Sequence, residues 1–132
     1  MVSTILIDQD IKGHGLFLEL GWRETGWEQL LPLEFKLLSD VGLPPNCPDQ
    51  DIWRFVQQQG FLLITGNRNR EDETSLQATI ERENRPESLP MLTVSHKESL
   101  LLAEYRQQVA HGLADVLLYL TDYRGAGRVF VP

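Results

Sequence analysis

Short solid apolar runs punctuate this chain, and between them apolar positions recur at spacings of three and four. The first run, residues 3–7, reads Ser-Thr-Ile-Leu-Ile and stops at Asp8. A run that is solid rather than alternating suits a strand covered on both faces. The turn Lys12-Gly13-His14-Gly15 leads into a helix predicted over 16–25, where Leu16 and Leu20 share a face and Gly21 weakens the second half. Apolar spacing continues over 27–31 until Pro32, and 33–38 reads as a second strand with Glu34 and Lys36 on a polar face. Residues 41–48 hold Gly42, Pro44, Pro45, Asn46 and Pro48, which predicts a loop.

A helix is predicted over 50–59, with Asp49 as N-cap, Ile52, Phe55 and Val56 as its buried stripe and Gly60 as its stop. Residues 61–65 form the clearest strand. It delivers the polar segment Gly66-Asn67-Arg68-Asn69 to its carboxyl end, where open α/β sheets place ligands. A helix over 71–83 opens on acidic residues, carries Leu76 and Ile80 four apart, and is closed by Arg85-Pro86. Residues 91–94 make a fourth strand. One long helix is predicted over 97–121, its stripe running through Leu101, Tyr105, Val109, Leu113, Val116, Leu117 and Leu120, and 128–131 adds a short edge strand. Strands separated by helices predict a single three-layer α/β/α domain over 1–132 with a mostly parallel central sheet.

The 132 residues include 12 Lys+Arg against 19 Asp+Glu, a formal charge of -7, and that length holds one core. The acidic balance argues against a broad basic surface for nucleic acid and leaves room only for a local patch. A single cysteine excludes an intramolecular disulfide framework, and no paired CxxC clusters exist to hold zinc. The N-terminal apolar patch is broken by Asp8, Asp10 and Lys12 and lacks the form of a secretory signal. No stretch approaches the about 18 apolar residues of a spanning helix. A cytosolic domain without membrane association is the expectation.

Several polar positions carry candidate chemistry. Asp8 and Asp10 follow the first strand and could bind a divalent cation, although spacing alone leans to the plainer reading that they cap or solvate the loop. Asp49 as a cap and Asp51 in the first helical turn need no chemistry. Thr65 to Asn69 is the most informative stretch: an Asn offers a neutral oxygen to a metal, and Arg68 a fork of donors to phosphate. Its rival is a plain turn, since Asn and Gly tolerate left-handed backbone angles. Gly13 and Gly15 make no dinucleotide fingerprint, and no phosphate-binding Gly-Lys-Ser/Thr loop is present. Cys47 reads as an incidental loop thiol, and His14, His96 and His111 lack metal-ligand spacing. Trp53 and Phe55 read as packing residues; Trp22 and Trp27 either pack beneath the first helix or contribute to a homodimer surface.

The opening Leu-Ile-Asp-Gln-Asp, the central Ser39-Asp40-Val41-Gly42-Leu43, the helix start Asp49-Gln50-Asp51-Ile52-Trp53 and the strand end Leu63-Ile64-Thr65-Gly66-Asn67-Arg68-Asn69 together resemble the small stand-alone PIN-like domains of the PIN nuclease fold. The resemblance spans roughly residues 4–70. It implies carboxylates gathered at the ends of parallel strands to hold Mg²⁺ or Mn²⁺ for RNA cleavage. Carried onto this chain, it makes Asp8, Asp49 and Asn67 the catalytic set, Asp8, Asp10, Asp49, Asn67 and Asn69 the metal-holding set, and Thr65 and Arg68 the substrate contacts.

The chain departs from the family pattern where Asn67 and Asn69 stand in place of two acids. Amides keep an oxygen at each place but remove up to two negative charges, which lowers affinity for a hydrated dication. Two readings follow. In one, the domain is a Mg²⁺- or Mn²⁺-dependent endoribonuclease acting on single-stranded RNA. In the other it is a catalytically silent PIN-like binding module, associating with itself or another protein. The resemblance also brings in an inhibitory or recruiting protein partner, as for toxin-like members of toxin–antitoxin pairs, and base rates point to a homodimer as the oligomer to expect.

Overall fold

The computed structural model describes residues 2–66 and 70–132. Its strands are β1 (Thr4–Ile7), β2 (Glu34–Leu37), β3 (Leu62–Gly66), β4 (Met91–Val94) and β5 (Arg128–Phe130). Its helices are α1 (Gly15–Glu24), α2 (Trp27–Leu30), α3 (Asp49–Gln59), α4 (Arg70–Glu83), α5 (Ala103–Leu118) and α6 (Leu120–Tyr123), with 3-10 segments at Gln9–His14, Leu38–Val41 and Lys97–Leu101. The strands form one five-stranded sheet in the order β2-β1-β3-β4-β5, and every neighbouring pair is parallel. The sheet expected to be mostly parallel is thus wholly parallel among the described residues.

Solid apolar strands are what such a sheet requires, because alternate side chains enter two different cores. Ile5, Ile7, Leu62, Ile64, Leu92 and Val94 face one side, where they meet Leu18 and Trp22 of α1 and Val109 and Leu113 of α5. Leu6, Leu63 and Met91 face the other, against Ile52, Trp53 and Val56 of α3 and Leu76 and Ile80 of α4. The result is the three-layer α/β/α sandwich. Burying each of these large side chains contributes about 1.5–3 kcal/mol before the entropy of ordering is subtracted. No helix of the described residues is long and apolar enough to cross a membrane.

Two expected elements differ. The long helix over 97–121 is three segments: the 3-10 segment, α5 and α6. Leu102 between the first two is extended (φ -88°, ψ 127°), and Leu101, expected in the buried stripe, is 65% exposed. The change of path lets Leu100 drop into the core instead. At the start of α3 the N-cap is Pro48, extended at φ -61°, and Asp49 is the first helical residue rather than the cap. The Pro48 carbonyl accepts from the amides of Asp51 and Ile52, so the helix opens without a capping side chain. Its other end matches expectation: Gly60 closes it at φ 75°, a backbone angle that glycine adopts without strain.

Trp22 is a core residue, 1% exposed, with its indole N–H donated to the Leu31 carbonyl. Trp27 stacks on it at 6.1 Å and donates to His111 Nδ1 on α5. Both tryptophans therefore serve the packing of α1, α2 and α5. The α1–α5 contact is close at Gly21, where an added Cβ would lie 2.6 Å from the Arg106 carbonyl oxygen. One turn on, the Arg106 guanidinium holds both Glu24 carboxylate oxygens at 2.7 Å.

Gly21→Ala is expected to destabilise the protein by roughly 1–3 kcal/mol in urea unfolding, because the obstructing atom is backbone and the helices must separate; alanine's better helix propensity recovers only part of this. Glu24 is held below the ordinary glutamate range, chiefly by the hydrogen bond from Arg106. A carboxyl lowered by folding stabilises the protein above its unfolded pKa, and that support is lost as pH falls through the folded value. Glu24→Gln should accordingly lower stability at neutral pH and flatten its decline in acid, read as the melting temperature across a pH series.

Candidate functional site

From β1 the chain crosses outward to β2, then returns to build β3, β4 and β5 on the opposite side. The direction of strand order reverses between β1 and β3, and the crevice beyond the carboxyl ends of these two strands is where open parallel sheets take ligands.

Asp8 lies at this point. Its amide donates to the Ile64 carbonyl at 3.0 Å, adding one bond beyond the end of β1. Its carboxylate accepts from the Gln9 amide at 2.8 Å and caps the 3-10 segment, and the residue is 3% exposed. The cap expected on the plainer reading is therefore real. Asp8 nonetheless lines the crevice together with Asp10 and Asp49, a space of about 410 Å³ closed by the loop through Asn46 and Cys47 and by Ile52 and Ser75. Asp49 reaches it because Pro48 sets the start of α3, whose first turn also carries Asp51. Three acidic residues from two distant stretches of sequence thus line one space at the switch point.

Asp10 has a further role. Its Oδ1 accepts from the Thr65 hydroxyl at 2.9 Å and its Oδ2 from the Gly66 amide at 3.0 Å. Its own carbonyl accepts from Lys97 Nζ at 2.8 Å. The turn after β1, the end of β3 and the segment after β4 are joined at this one residue. Gly66 is what lets them approach: an added Cβ would sit 3.0 Å from Lys97 Cδ and 3.1 Å from Asp10 Oδ2. Thr65, expected as a substrate contact, is instead fully buried, and its hydroxyl hydrogen is directed to Asp10. It positions Asp10 and does not face the crevice. Asn67, Arg68 and Asn69 lie outside the described residues.

Two neighbours of the site carried no local signal. Cys47 sits in a proline-rich loop, and only the folding of that loop over Asp8 brings it to the crevice wall. Burial raises its thiol pKa, and the charges of Asp51, Asp49 and Asp8 raise it further. Lys97 follows β4 and reaches Asp10 across the strand ends. Among the described residues no group of three or more His, Cys, Asp or Glu forms a ready metal centre, which accords with Asp10 turning both oxygens toward β3. Comparison of the chain with family models, with curated proteins and with solved structures gives no match in any of the three.

Since the thiolate is the nucleophile, alkylation of Cys47 by iodoacetamide at neutral pH should run slower than that of a small free thiol. Asp51→Asn and Asp49→Asn should each accelerate it, in a chain whose single cysteine makes the rate unambiguous.

Proposed function

We propose that the crevice is the site of a divalent-cation-dependent endoribonuclease of PIN-like type, acting on single-stranded RNA. The observation that carries the reading is the convergence of Asp8 and Asp49 on one space at the carboxyl end of the sheet. Their donors are hard oxygens, which suit Mg²⁺ or Mn²⁺ rather than a metal that prefers thiolate or imidazole. Mg²⁺ in particular keeps several waters and is bound through one or two carboxylates plus substrate phosphate, a number of carboxylates that Asp8 and Asp49 would supply. Asp8 and Asp49 would hold the ion, with a neutral oxygen from Asn67. When bound, the cation lowers the pKa of a water and offsets charge on the phosphate. The bonds of Asp10 to Thr65 and Gly66 hold the turn that carries Asp8 against the end of β3.

One observation favours a second reading, a catalytically silent PIN-like interaction module. The third carboxylate of the crevice is engaged by β3 at both oxygens, and the chain carries amides at 67 and 69. A site with one carboxylate so engaged and amides in place of two acids can retain the scaffold while binding a dication too weakly for hydrolysis.

Incubation of the protein with an unstructured RNA and Mn²⁺ is expected to give cleavage that falls by more than the roughly 10–100-fold typical of supporting residues in Asp8→Ala and in Asp49→Ala. Cleavage that survives both substitutions rejects the assignment. A second readout needs no turnover: a dication between Asp8 and Asp49 opposes the carboxylate field on Cys47, so Mn²⁺ should speed its alkylation with a saturating dose dependence. An alkylation rate indifferent to Mn²⁺, together with intact RNA, selects the interaction module.

A further inference from the structure

A crevice lined by carboxylates repels the phosphates of an RNA strand, and the chain as a whole is acidic. Some fixed positive group must meet the strand. Lys97 is built for this. Its stem is pressed against Gly66, its side chain is half-buried, and its ammonium is anchored 2.8 Å from the Asp10 carbonyl. That partner is a neutral oxygen, so the bond orients the ammonium without cancelling its charge. An ammonium has three N–H donors, and the bond to Asp10 uses one.

We infer that Lys97, tied to Asp10 of the crevice wall though not itself lining the crevice, is a phosphate contact beside it, taking an oxygen of the RNA backbone where the strand leaves the crevice toward the end of β4. This deepens the ribonuclease reading by naming a residue for its ligand, but it concerns binding and holds whether or not the bond is cut. A compact ammonium on an anchored stem makes a point-charge contact to phosphate. Anchoring also reduces the rotamer entropy lost on binding, since the stem is already ordered by Gly66 and Asp10.

The test is fluorescence anisotropy of a labelled single-stranded RNA with the full chain in EDTA, where cation-dependent cleavage is off, and again with Ca²⁺. Lys97→Gln keeps a donor for the Asp10 carbonyl and removes the charge; Lys97→Arg keeps both. The Gln variant should bind roughly tenfold more weakly and lose about 0.7 from the slope of log affinity against log salt, the value of one single-strand phosphate contact. The Arg variant should stay within about threefold of the native protein. Both should melt within a few degrees of it.

Equal affinity and equal salt slope for Lys97→Gln and the native chain overturn the inference. So does an equal loss in both variants accompanied by lowered melting temperatures, which assigns Lys97 to structure alone. Absence of RNA binding by the native chain also overturns it. Binding that depends on Lys97 without Mn²⁺-dependent cleavage upholds it and rejects the hydrolase; cleavage with binding indifferent to Lys97 does the reverse.

Discussion

The Asp10 carboxylate holds the end of β3 with one oxygen on the Thr65 hydroxyl and the other on the Gly66 amide, while its main chain is held by Lys97. In a wholly parallel sheet, neighbouring strands are joined by long crossovers, so no tight turn sets the relative height of their ends. Register alone does it, and here Ile5, Leu6 and Ile7 of β1 stand beside Leu62, Leu63 and Ile64 of β3. The Asp10 bonds lock that register at the edge where side chains leave the sheet. Hydrogen bonds to a charged group contribute about 1.5–3 kcal/mol each. The placement of Asp8 therefore depends on a neighbour whose carboxylate is bonded to the end of β3.

The electrostatics of the site follow from the same arrangement. Carboxylates gather where β1 ends and α3 begins, and the nearby Cys47 thiol is pushed up by burial first and by their charge second. A lysine from beyond β4 is fixed at the opposite side of the Asp10 turn. The polar end of the sheet thus has an acidic flank toward α3 and a cationic point toward β4.

Much of the fold was legible in the residue pattern because burial on both faces leaves a simple mark. Residues 91–94 are read as a strand to the residue, and Gly60 marks the end of α3. The break at Leu102 left no mark, since Leu101 and Leu120 continue the three-and-four spacing and neither glycine nor proline interrupts it. The approach of Asp8 and Asp49 to one space was legible only through motif order. The structure adds how they reach the same space: one extends β1, and the other opens a helix after an extended proline. The burial of Thr65 against Asp10 was not legible, because a hydroxyl at a strand end looks the same in sequence whether it faces a ligand or a buried carboxylate. Cys47 was read as an incidental loop thiol and Lys97 only as the start of a helix, because their surroundings come from residues far away along the chain.

The position of β3 between β1 and β4 has a consequence for the order in which the molecule becomes competent. During synthesis, Asp8, Asp10 and Asp49 are all polymerised before the strand that binds Asp10. Until Leu62 to Gly66 inserts beside β1, the acidic residues have no common floor. A nascent chain therefore carries the ingredients of the crevice without its geometry, and any chemistry there is withheld until the middle of the sheet closes.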